Sequence, residues 1–158
     1  PDLMGCGKAA GGGILPVSFV AGRDDVIGVL NPGSEGSTFG GYPLASIVSV
    51  YAIKTLIDEK LADNAFIKGK QLMDGLNQIK NDFSDKIKIV RGKGLLTAFE
   101  MYDDPKLDGH HVSLELLNEG IYAKETHKTT IRLAPALTIS KDQIDQLLYG
   151  VRQVIQKI

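Results

Sequence analysis

Gly5, Gly7, Gly11, Gly12, Gly13, Gly22, Gly28, Gly33, Gly36, Gly40 and Gly41 crowd the opening of this chain, 11 of its 18 glycines within 41 of its 158 residues. Glycine adopts backbone angles that other residues resist, weakens helix and strand interiors, and lets a ligand lie against the main chain. The first quarter therefore reads as loops that build a site. A short strand is expected over residues 16–21. One or two helical turns follow over 24–30, with Asp24 and Asp25 suited to the positive end of the helix dipole. Asn31-Pro32-Gly33-Ser34 is a turn cluster, and the stretch from Gly36 to Gly41 is a second polar loop.

The rest reads as scaffold. Pro43 suits a first helical position, where its missing N–H costs nothing, and predicts a long helix over 43–61. Leu44, Ile47, Val48, Tyr51 and Ile57 lie on or near one face, and Val50 and Ile53 widen it, so this helix should be well buried. A second helix is expected over 63–80, carried by Ala65, Leu72, Leu76 and Ile79 and weakened by Gly69 and Gly75. Residues 86–90 alternate as a half-buried strand does. Gly92-Lys93-Gly94 turns the chain into a strand over 95–101. A short helix over 108–119 stops at Gly120. Strands over 121–124 and 130–133 flank a polar hairpin loop. Ser140 and Gln143 have capping-box spacing, and Ile144, Leu147, Leu148, Val151, Val154 and Ile155 form the stripe of a last helix. The order from about residue 63 is αββαββα, long enough for its own two-layer core.

Composition closes several possibilities. Lys and Arg total 18 and Asp and Glu 19, a net charge of −1. Such a balance offers no electrostatic footprint for nucleic acid or an anionic membrane. The most apolar run, residues 14–20, is broken by Pro16 and Ser18 and is too short to span a bilayer. The single cysteine, Cys6, cannot form an internal disulfide. An opening of Pro1-Asp2-Leu3, without methionine or a basic leader, reads as part of a longer or processed chain.

Lys8 is the foremost candidate for chemistry. It sits between Gly7 and Ala9-Ala10-Gly11-Gly12-Gly13, where small neighbours leave room for a flat ligand. A desolvated lysine loses proton affinity and becomes a nucleophile toward an aldehyde. Gly7-Lys8 is not a phosphate-binding P-loop, because Asp2 stands where its first glycine belongs and Ala9 where its hydroxyl belongs. Gly5-Cys6-Gly7-Lys8-Ala9-Ala10 fits a dinucleotide fingerprint, but the following glycines and Pro16 oppose the helix that motif needs. Ser37 and Thr38 read either as turn residues bonding local backbone or as a phosphate grip. Arg132 should face away from Ile131 and Leu133, as a plain exposed arginine or as a bidentate clamp for a carboxylate. His110, His111 and His127 make no metal set, and no G-x-S-x-G nucleophile elbow is present.

Taken together, Gly7-Lys8-Ala9-Ala10-Gly11-Gly12-Gly13, Pro16-Val17-Ser18, the run from Pro32 to Ala45, Val90-Arg91-Gly92-Lys93-Gly94-Leu95-Leu96 and Ile131-Arg132-Leu133-Ala134-Pro135 resemble the C-terminal part of a class III aminotransferase, a fold type I α/β enzyme that uses pyridoxal 5'-phosphate. Lys124-Glu125-Thr126-His127 is most similar to the ornithine-using branch. The resemblance implies that residues 1–42 are the C-terminal end of the large cofactor-binding domain, 43–62 an interdomain helix and 63–158 a small α+β C-terminal domain. It implies that Lys8 forms the Schiff base with the cofactor and shuttles protons. Ser37 and Thr38 would hold the cofactor phosphate across a homodimer interface, and Arg132 would pair with a substrate carboxylate. The reaction implied moves the δ-amino group of ornithine to 2-oxoglutarate, in the cytoplasm or the mitochondrial matrix, as a step of amino-acid metabolism and proline biosynthesis. Acetylornithine or 4-aminobutyrate as donor is the alternative, as is a catalytically silent piece when the chain is isolated. Glu35 and Tyr42 depart from the His and Asn of that branch, and the negative charge of Glu35 opposes phosphate binding.

Overall fold

The computed structural model describes residues 1–104 and 108–158. The chain divides into two compact units, Pro1–Lys60 and Leu61–Ile158.

In the first unit, β1 (Leu3–Cys6) pairs antiparallel with β2 (Phe19–Gly22), Leu3 opposite Gly22 and Cys6 opposite Phe19. Sequence reasoning missed β1 and placed β2 early, because glycines mask both strands locally. Between them a single 3₁₀ turn, Lys8–Gly11, ends at Gly12 in the left-handed region. No sustained helix forms there, as the glycine run and Pro16 dictate. Arg23 ties the end of β2 down through Asp2 and Asp25. A four-residue α1 (Asp24–Ile27) follows, shorter than expected because Gly28 ends it.

Helix α2 (Pro43–Asp58) starts at its proline and stops three residues short of expectation, where Lys60 turns left-handed. Its burial is a correction. Only Ser49 is buried, while Val50, Tyr51 and Ile57 are 59%, 63% and 65% exposed. Two four-residue strands and one helical turn provide no layer broad enough to cover it.

The second unit runs α3 (Leu61–Asp82), β3 (Ile87–Lys93), β4 (Leu96–Met101), α4 (Gly109–Asn118), β5 (Lys124–Thr126), β6 (Thr130–Leu133) and α5 (Lys141–Lys157). This is the αββαββα order expected. The four strands form one antiparallel sheet in the order β3-β4-β6-β5, with a bulge between Ile87 and Ile89. Thr97, Phe99 and Met101 of β4 and Ile131 and Leu133 of β6 turn to one face and are buried. There they meet Leu72, Leu76 and Ile79 of α3, Val112 and Leu116 of α4, and Ile144, Val151, Val154 and Ile155 of α5. On the opposite face Thr130 is buried and Ala98 and Glu100 half-buried, while Arg91, Lys124 and Arg132 are exposed, so that face is open at its cations.

Gly69 and Gly75 do not weaken α3 so much as permit its packing. A Cβ at Gly69 would collide with the Gly94 backbone, and one at Gly75 with the Leu148 side chain. Gly92 lies inside β3 rather than in the turn, and a Cβ there would strike the Leu96 carbonyl across the ladder. The strand expected over 121–124 starts at Lys124 instead. Gly120 is left-handed (φ +77°), and the Ile121 N–H donates back to the Leu116 carbonyl at 2.8 Å, so the helix end consumes these residues. Helix α5 opens with the expected box. Gln143 N–H donates to Ser140 Oγ at 3.2 Å, and Ser140 N–H to Gln143 Oε1 at 2.9 Å.

Candidate functional site

The candidate residues fall in both units: Lys8, Ser37 and Thr38 in the first and Arg132 in the second.

Strand β1 runs straight into Lys8, the first residue of the 3₁₀ turn. Its φ of +54° lies in the left-handed region, which a side chain with a Cβ enters at a cost of about 1–2 kcal/mol. The turn fixes that angle, through Ala10 N–H to the Gly7 carbonyl at 3.1 Å and Gly12 N–H to the Ala9 carbonyl at 2.9 Å. The Lys8 side chain is exposed and its amine has no partner among the described residues. Desolvation by this chain's own residues, the route to a nucleophilic amine considered from the sequence, is therefore not what it provides.

Ser37 and Thr38 lie in the loop before α2. The Phe39 N–H donates to Ser37 Oγ at 3.3 Å and the Gly40 N–H to the Ser37 carbonyl at 2.9 Å, so Ser37 shapes the turn. Thr38 is exposed and has no hydrogen-bond partner among the described residues. Ser37 borders a cavity of about 680 Å³ together with Gly5 and Cys6 of β1, Phe19 of β2, and Glu35. The loop is thus brought to β1, which Gly7 joins to Lys8, and Glu35 lines the same space. On its other side Ser37 borders a larger cavity of about 810 Å³, walled by Val17, Phe39, Tyr42, Val50 and Ile53. Ser49 also lines it, and the Ser49 hydroxyl is buried without a partner among the described residues.

Arg132 projects from β6 on the open face, opposite in direction to Ile131 and Leu133, as alternation predicts. Its side chain is exposed, with no partner among the described residues. The hairpin that carries it is docked on α4. Gly109 N–H donates to the Lys128 carbonyl at 2.6 Å, and a Cβ at Gly109 would stand 2.8 Å from that oxygen. Glu125 of β5 faces the same helix. Its Oε2 lies 3.1 Å from Ser113 Oγ and its Oε1 lies 3.4 Å from His110 Nδ1. Its own backbone N–H, then Ser113 and His110, hold the Glu125 carboxyl below the usual carboxylate range. His110 is thus occupied with a carboxylate, and no group of three or more His, Cys, Asp or Glu among the described residues could hold a metal ion. Sequence reasoning missed the residue opposite Arg132, which is Lys124. The motif containing Lys124 was visible, but its pairing depends on hairpin register.

Residues 1–155 match the class-III aminotransferase family, and the chain belongs to it. Its mixed α/β structure is part of the fold type I architecture of the enzymes that use pyridoxal phosphate. It is 42% identical over 154 residues to an ornithine aminotransferase of Geobacillus, which covers 98% of this chain and 37% of that protein. It is also 42% identical to the ornithine aminotransferase of Bacillus subtilis, covering 99% of this chain and again 37% of the relative. Among solved structures, an ornithine aminotransferase from Plasmodium yoelii superposes with a TM-score of 0.93 at 38% identity, over 99% of this chain and 41% of that one. The acetylornithine aminotransferase of Elizabethkingia anophelis does so with 0.94 at 37% identity, over all of this chain and 41% of that one. The chain thus spans little more than a third of the length of the relatives it matches.

Proposed function

We propose that this chain forms part of a pyridoxal-phosphate-dependent aminotransferase that moves the δ-amino group of ornithine to 2-oxoglutarate, giving glutamate semialdehyde and glutamate. The observation that carries this reading is the identity of about 42% to ornithine aminotransferases along nearly the whole chain. On this reading residues 1–42 end the cofactor-binding domain, 43–62 join domains and 63–158 form the small domain. The assembly is a homodimer, set in the cytoplasm or the mitochondrial matrix.

The residues present fit the two ends of the cofactor. Lys8 offers an amine without a competing partner, on a turn flanked by glycines, and Thr38 offers a free hydroxyl. Pyridoxal phosphate, when bound, supplies an electron sink for the carbon that exchanges its amino group. Lys8 would anchor the cofactor through Nζ, and the same amine, once released, would take and return the proton at the reacting carbon. Thr38, with Ser37 shaping its loop, would donate to the phosphate. Arg132 would grip a substrate carboxylate with its planar pair of N–H donors.

The test is made on the full-length protein with ornithine, acetylornithine or 4-aminobutyrate as donor and 2-oxoglutarate as acceptor. Semialdehyde from ornithine is the expected product, and turnover of acetylornithine alone would replace ornithine in the assignment. Borohydride treatment with pyridoxal phosphate should fix the cofactor on the peptide containing Lys8. Recovery on another lysine would reject the anchor.

A further inference from the structure

The antiparallel register lines up a row of side chains across the open face of the second unit. Lys124 stands opposite Arg132, Arg132 opposite Ala98, and Ala98 opposite Arg91. Directly opposed residues of adjacent antiparallel strands point to the same side, with Cα atoms about 4.5–5.5 Å apart. Arg91 is matched by Glu100, whose Oε2 is 2.6 Å away, and Lys88 takes the other oxygen of that carboxylate at 3.1 Å. Lys124 and Arg132 have no such match, since neither has a partner among the described residues. The acid nearest along the face, Glu100, is already shared by two cations.

Like charges placed directly opposite each other on a sheet destabilise it. Here the pair sits beside Ala98, a residue too small to fill the space over its own strand. An anion seated there converts the repulsion into attraction at both cations, and the gain grows with the anion's charge. We propose that Lys124 is a second substrate-binding residue that acts with Arg132 to select a doubly charged 2-oxo dicarboxylate over a singly charged 2-oxo acid. The inference rests on the reading that Arg132 binds a substrate carboxylate.

The full-length protein is titrated with 2-oxoglutarate and with pyruvate at constant ionic strength, following the NMR signal of the Arg132 Nε–Hε group. Wild type is compared with Lys124→Gln and Lys124→Arg. The glutamine variant should weaken 2-oxoglutarate binding about two- to fivefold, the scale of one exposed ion pair, and pyruvate binding less. The arginine variant should restore the preference. Without ligand, Lys124→Gln should raise the melting temperature by about 1 °C, since it removes a repulsion, whereas a lysine with only a structural role would lower it. If wild type responds to 2-oxoglutarate and the glutamine variant keeps the same selectivity, the role of Lys124 is overturned while that of Arg132 stands. If wild type responds to neither acid, the role of Arg132 falls and that of Lys124 with it.

Discussion

Gly69 and Gly75 occupy the same helix and look alike in sequence, yet they face different obstacles. At Gly69 the neighbour is the Gly94 backbone, and at Gly75 it is the end of the Leu148 side chain. Backbone cannot step aside, whereas a leucine can change rotamer. Gly69→Ala should therefore lose about 2 kcal/mol in spite of alanine's better helix propensity, and Gly75→Ala less than about 1 kcal/mol. Urea unfolding midpoints of the two variants check the order, and equal midpoints would contradict it. The sequence alone discloses glycine's weakness inside a helix but not what approaches it from a distant part of the chain. The outward direction of Arg132 was legible, because alternation within a strand is local. The left-handed angle of Lys8 was not, since nothing in its neighbours requires a residue with a Cβ to adopt it.

Elements show the same division. The capping box of α5 was readable because all its chemistry lies within Ser140–Gln143, and Ser140→Ala should cost about 1 kcal/mol, measured by thermal unfolding. How elements are tied together was not readable, because the ties are between residues distant in sequence. Arg91 and then Lys88 hold the Glu100 carboxyl below its usual range and join β4 to β3. Lys157 does the same for Glu115 and joins α4 to α5. Glu125 joins β5 to α4. Each of these carboxyls has a folded pKa below its unfolded value, so the unfolded chain binds more protons as pH falls. The stabilisation is fully present above the ordinary carboxyl value of 4.5 and is lost as pH drops through the lower folded values. Lys157 is raised above 10.5 by Glu115, so its share is present below that pH and fades as pH rises beyond it. Glu125→Gln should lower the melting temperature at pH 7 and leave it nearly unchanged below pH 3, a limit set on the order of the carboxyl range. A loss independent of pH would show that the carboxylate's charge is not what ties the hairpin to α4.

At the scale of the molecule, the two units differ in what holds them. The Leu61–Ile158 unit has a core reaching full burial at Leu72, Phe99, Ile131 and Val151, while the Pro1–Lys60 unit leaves the apolar residues of α2 in solvent. Stability follows buried apolar area. Hydrogen exchange should therefore show slow amides in α3, β4, β6 and α5 and fast ones through residues 1–60, read by mass spectrometry. Equal protection in both halves would refute this. The apolar stripe of α2 was plain in the sequence, but what covers such a stripe is not encoded in the helix. The sheet, by contrast, guards its borders. On one side β5 is only three residues long, and on the other β3 carries a bulge together with Lys88, Arg91 and Lys93. A stubby border and a kinked, cationic one both refuse an incoming strand. Copies of this unit should therefore resist stacking into fibrils even at high concentration, and whatever precipitation the chain suffers should begin in its first sixty residues.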